Sequence, residues 1–75
     1  MGERRIPRLT ADQVVAILRR HGFVLAGSVG SHQKWRNVAT AKQVIVPYHR
    51  GRILPLGTMK AIQEGSGISA EHWKK

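Results

Sequence analysis

The stretch Gly27-Ser28-Val29-Gly30-Ser31-His32 sets two Gly-Ser pairs directly ahead of an imidazole. Imidazole takes or gives a proton near neutral pH, and residues with so little side chain before it are expected to clear space for a bulky substrate. Behind His32, Lys34 and Arg36 alternate with Gln33 and Trp35. A second histidine, His49, follows Val46-Pro47-Tyr48 and stands at the head of a run containing Arg50 and Arg52. A proton-transfer group among cations suits a polyanion. Lys34, Arg36, Arg50 and Arg52 are expected to hold phosphates without reading sequence, and the small residues Gly30 and Ser31 let a phosphate come close to backbone N–H groups.

Other chemistries fit less well. The only carboxylates are Glu3, Asp12, Glu64 and Glu71, and they are scattered, whereas metal-dependent nucleases gather acids around Mg²⁺. The four histidines, His21, His32, His49 and His72, lack zinc-site spacing with a third ligand. There is no cysteine, which excludes disulfides, thiolate metal sites and cysteine nucleophiles. Neither a metal nor a cofactor is expected. Metal-free cleavage of a polynucleotide is easiest when the 2′-hydroxyl attacks and a histidine serves as general base or acid, which points to RNA rather than DNA. On that reading His32 is the catalytic candidate and His49 a possible second acid/base. A serine–histidine pairing of Ser31 with His32 is disfavoured, because strand neighbours point to opposite faces.

The 75 residues are enough for one small domain, 1–75, with room for a sheet and a helix or two. Thirteen Lys and Arg against four Asp and Glu leave a formal charge of +9 and a pI near 11.6, favouring a polyanionic partner. The opening MGERRIPRLT has charge without an apolar run, so it reads as a loosely held basic leader over 1–8 and not as a signal peptide. No segment is apolar for the ~20 residues a membrane span needs, and a cysteine-free chain this small favours the cytoplasm.

These residues must be positioned by a helix, three strands and a second helix. LTADQVVAILRRHGF reads as a helix: Thr10 and Gln13 form a capping box, Val14, Ile17 and Leu18 recur at helical spacing, and Gly22 supplies the left-handed stop. FVLAGSVG, SHQKWRN and QVIVPY read as strands, with VATAK a loop and Pro47 marking a strand end or edge. LGTMKAIQEG reads as a helix with Leu56, Met59 and Ile62 on one face, ended by Gly65 and Gly67, and ISAEHWKK as a last turn capped by Ser69. Short connections imply an α+β meander, its three strands antiparallel and both helices on one face. Strand parity then puts Trp35 inward with Ser31 and Gln33, and turns His32, Lys34 and Arg36 to the open face.

The segments GSHQKW, VPYH and LPLGTMKAI, in this order, resemble those of the HicA toxins, also described as YcfA-like, from type II toxin–antitoxin pairs. The matching residues are Gly22 and Phe23, then Gly30, Ser31 and His32 with Trp35, then Val46, Pro47 and His49, then Pro55, Gly57, Thr58, Met59 and Ile62; the resemblance covers nearly all of 10–70. It implies an αβββα fold like that of double-stranded-RNA-binding domains and an mRNA-cleaving endoribonuclease. It also implies that His32 is the catalytic residue and that a HicB-type antitoxin covers the site. Met59 stands where leucine is common, and the loop NVATAK lacks the frequent Pro-Asp-Gly or Pro-Asn-Gly turn. A binding module that holds structured RNA without cutting it is the alternative, and a DNA-binding regulator ranks last, since the second helix offers only Lys60 as a cation.

Overall fold

The computed structural model describes residues 6–73. Helix α1 spans Ala11–Arg20, strands β1, β2 and β3 span Phe23–Val29, His32–Asn37 and Gln43–Pro47, helix α2 spans Leu56–Ser66, and a 3₁₀ turn closes the chain at Ala70–Trp73. The strands form one antiparallel sheet in the order β1-β2-β3. Both helices bury their apolar residues against the same face of it, in a core that includes Trp35, Val44 and Val46 of the sheet. The α+β arrangement read from the sequence is therefore the observed one.

Helix α1 begins as its sequence dictates. The Thr10 hydroxyl accepts from the Gln13 N–H at 3.2 Å, and the Gln13 side chain accepts from the Thr10 N–H at 2.9 Å, satisfying two N–H groups that a helix start leaves free. Ala11, Val14, Ile17 and Leu18 form its buried stripe. At the other end Gly22 takes a left-handed φ of +88°, and the Asn37 amide donates to the His21 carbonyl at 2.8 Å. The same Asn37 accepts from the Thr40 N–H through Oδ1 at 3.2 Å, so one buried side chain closes both the helix and the β2–β3 loop.

Several details depart from the sequence reading. Leu56 is 49 % exposed; the buried stripe of α2 is Met59, Ile62 and Ser66, and Leu54 from the preceding loop joins the core instead. Gly65 does not end α2 but lies inside it, where a Cβ would come within 3.1 Å of a Val44 methyl; the close helix–sheet approach favours the glycine. Gly67, at φ +73°, is the actual stop. Ser69 serves the closing turn through its carbonyl, which accepts from the His72 N–H at 3.0 Å. Trp73 is fully buried, with its indole N–H donating to the Ile68 carbonyl at 3.3 Å. Of the basic leader, residues 1–5 lie outside the described residues, and Ile6 already packs against the core.

The β2–β3 loop carries the one left-handed non-glycine among the described residues, Ala41 at φ +63°. Its backbone N–H donates to the Asn37 carbonyl at 2.8 Å, which fixes the angle. An L-residue with a Cβ is strained there by about 1–2 kcal/mol, while glycine is not. Ala41→Gly is expected to stabilise the fold by up to about 1 kcal/mol once glycine's larger unfolded-state entropy is counted, read as a higher urea midpoint at an unchanged slope.

Candidate functional site

Burial of Trp35, 2 % exposed, sets the facing of β2. Trp35 lies over the helices, with the Arg19 guanidinium 5.2 Å from its ring centroid and its indole N–H bonded to the Gln33 side chain at 3.1 Å. With period-two alternation, His32, Lys34 and Arg36 are all exposed on the opposite, open face of the sheet. The neighbours across the strands complete that face. Val29 of β1 and Pro47 of β3 stand opposite His32, Gly27 and Ile45 opposite Lys34, and Val24 and Gln43 opposite Arg36. The imidazole is thus flanked laterally by apolar groups, with cations along its own strand. Val29, at 81 %, and Ile45, at 45 %, are exposed.

The glycines play parts different from the one their smallness suggested. Gly30 is the first residue of the tight two-residue turn between Val29 and His32, and it holds φ +58°, as a II′ hairpin requires. A Cβ there would meet nothing within 4 Å, so the constraint is the backbone angle and not crowding. Gly27 follows the β-bulge between Leu25 and Gly27 and sits on the open face across from Lys34, where its missing side chain leaves the face low. Ser31 accepts from the Tyr48 N–H at 2.6 Å through its carbonyl, which extends the β2–β3 pairing past Pro47.

The second histidine arrives by this extension. After Tyr48 the chain turns through His49–Arg52, closed by the Arg52 N–H donating to the His49 carbonyl at 3.1 Å, with Gly51 at φ +76°. His49, Arg50 and Arg52 are all exposed. The loop is fastened at both ends to the start of α1. The Tyr48 hydroxyl donates to the Asp12 carboxylate, while the Leu54 N–H donates to the Leu9 carbonyl at 2.9 Å and Ile53 bridges to Thr10. Between loop, sheet and α2 lies a groove of about 250 Å³ walled by Pro47, His49, Arg52, Ile53, Pro55 and Thr58. Pro47 is therefore a shared wall: His32 stands opposite it in the ladder and the groove with His49 lies against it.

The structure thus brings His32, Lys34 and Arg36 onto one face, and His49 and Arg52 around one groove that meets this face at Pro47; Arg50 is exposed in the same loop. Sequence reasoning missed Asp12 and Tyr48 as the fastening of that loop, and Ile53 as an apolar wall. Their pairing joins residues 36 positions apart, which no local pattern reveals. Among the described residues, no three His, Asp or Glu side chains gather where they could hold a metal ion, and no helix is long and apolar enough to cross a membrane.

A family model described as the HicA toxin of bacterial toxin-antitoxin matches residues 11–68, which is most of the 75-residue chain. No curated protein matches it.

The Tyr48–Asp12 bond has a spectroscopic consequence. Donation to the carboxylate, with lesser contributions from desolvation and from the carboxylate's charge, raises the Tyr48 phenol above its ordinary value of about 10, and Arg50 opposes the shift. Because the folded state favours the neutral phenol, whatever the bond adds to stability is present at neutral pH. It is lost as the pH climbs through the raised value. Tyr48 is the only tyrosine, so the phenolate absorbance of the intact protein reports it alone. Its titration midpoint is expected above that of free tyrosine and is expected to fall in Asp12→Asn.

Proposed function

Because the chain belongs to the HicA toxin family and is a toxin of a toxin–antitoxin system, we propose that it stops growth as a metal-independent endoribonuclease acting on mRNA. The observation that carries the reading is the exposed His32 on the open face, in line with Lys34 and Arg36 and abutting, through Pro47, a groove that holds His49 and Arg52.

In this reading Lys34, Arg36, Arg50 and Arg52 hold the ribose-phosphate backbone. Gly30 and Ser31 give a phosphate access at the hairpin tip. His32 takes the proton of a 2′-hydroxyl as its oxygen bonds to the adjacent phosphorus, and the bond from phosphorus to the 5′-oxygen breaks. A second group, for which His49 is the candidate, gives that oxygen its proton. The products are a 2′,3′-cyclic phosphate and a 5′-hydroxyl, and every proton is accounted for without water entering this step. Two imidazoles serve such a pair of transfers because each exchanges protons near neutral pH. Of the described carboxylates, Asp12 is bonded to Tyr48, Glu71 lies 3.9 Å from His72, and Glu64 is in the wall of a separate depression. A HicB-type antitoxin silences the toxin by covering the cationic open face, and its acidic groups are steered there by the toxin's +9 charge.

The test is RNA cleavage in EDTA with purified protein. Wild type is expected to cut, and His32→Ala to lose at least about 100-fold in rate, the lower range for a positioned acid–base group, while its circular dichroism and most of its RNA affinity stay as in wild type. A 2′-deoxy nucleotide at the cut position is expected to block cleavage there. Tight, salt-sensitive binding with intact RNA would instead identify a binding module, and undiminished cutting by His32→Ala would remove this residue from the reaction.

A further inference from the structure

We propose that the groove beyond Pro47 seats a single unstacked RNA base, so that the toxin's substrate is unpaired RNA; the inference rests on the nuclease reading above and names the form of substrate it takes. The groove has the make-up of a base site. Its volume of about 250 Å³ lies just under the range of pockets that take drug-sized ligands, about 300–1,000 Å³, which suits one planar ring system and its sugar rather than a base pair. The walls combine apolar surface with two flat polar groups. Pro47, Ile53 and Pro55 supply the first, over the buried Leu54; the His49 imidazole and the Arg52 guanidinium supply the second. Rings and guanidinium planes of this kind stack on unpaired bases. Thr58 adds a hydroxyl able to bond a base edge.

Exposure argues in the same direction. Ile53, in the groove wall, is 48 % exposed, an apolar cost that the core does not relieve and that a stacked base would. Charge suits the phosphate that accompanies the base: Arg52 is in the wall, Arg50 is in the same loop, and the chain carries thirteen basic residues against four acidic ones. The larger depression, about 580 Å³ along Lys60, Glu64 and Ile68, has a carboxylate in its wall and shares no lining residue with this groove. Finally, position favours a role beside the chemistry. Pro47 is opposite His32, so the two Cα atoms are about 5 Å apart, and a base seated against the far side of Pro47 delivers its neighbouring phosphate to the imidazole. A-form duplex keeps its bases stacked and paired, and only loops, bulges and single strands offer one to such a groove.

The experiment follows the methyl signals of Ile53, Leu54 and Thr58 by NMR in the full-length His32→Ala protein, titrated with ribonucleoside 3′-monophosphates and, separately, with ribose 5-phosphate and inorganic phosphate. Nucleotides are expected to shift these methyls, and the two base-free probes to leave them in place while moving backbone signals of the cationic residues. In the same background, Ile53→Ala is expected to weaken binding of single-stranded RNA about tenfold, in the range of a lost base-stacking contact, with duplex binding unchanged. With wild type, cleavage is expected in loops and not in perfect stems. Methyl shifts equal for phosphate alone, no shift with any nucleotide, or equal cutting of stem and loop would each overturn the proposal. So would displacement of the methyls only by an acidic peptide, which would make the groove a protein site. The nuclease reading stands or falls separately: nucleotide-dependent shifts with uncut RNA would sink it and leave the groove, and cut RNA without those shifts would do the reverse.

Discussion

One indole decides which way the middle strand faces. Trp35 is the only large apolar residue of β2, and it is buried against the helices under Arg19. Burying a side chain of that size is worth far more than any arrangement of Lys34 and Arg36 on the surface could be. A slip of one residue would put Trp35 in water and drive His32, Lys34 and Arg36 into the core, so the register is fixed by the hydrophobic effect and the cationic face follows from it. The functional face is a by-product of packing, and its histidine needs no hydrogen bond of its own to be held outward.

The second half of the site is positioned by different means. The loop after β3 has no ladder to hold it, and it is secured at both ends to residues 9–12 instead: Tyr48 to Asp12 by side chains, and Leu54 and Ile53 to Leu9 and Thr10 by the backbone. The same few residues start helix α1, with Thr10 as its cap and Asp12 in its first turn. Helix initiation and loop placement are therefore a single structural problem, solved once, and the groove with His49 and Arg52 is set by it. Asp12 serves both sides, since a carboxylate near a helix start is favoured by the dipole and accepts from the phenol as well.

Much of this was legible from residue types and spacing. The capping box, the Gly22 stop, the parity of β2 and the end of β3 at Pro47 are local signals, each decided within a few residues, and each has its structural counterpart. What escaped was set by pairs distant in sequence. Gly65 looked like a terminator and is a concession to Val44 on another element. Leu56 fits the helical stripe, but Leu54 takes its place in the core. Trp73 could not be assigned from its own neighbourhood, and its burial depends on how the closing turn returns to α1. At the site, His32 and the cations were visible as residues, while the wall at Pro47, the apolar flank at Val29 and the Tyr48–Asp12 fastening required the register of β2 and β3 and the return of the loop to α1.

Asn37 ties the helix end at His21 to the hairpin loop at Thr40 through one amide. The Thr40 bond is local to the loop, whereas the His21 bond needs α1 and β2 already side by side, so the amide that shapes the loop is also the one that closes the helix end onto the sheet. In a chain with so little interior, fraying of the α1 end while Asn37 stays buried leaves a polar group without a mate and costs about 1–3 kcal/mol. The domain is thereby pushed toward all-or-none behaviour, and a toxin that is either whole or unfolded presents no half-assembled cationic sheet to the cell.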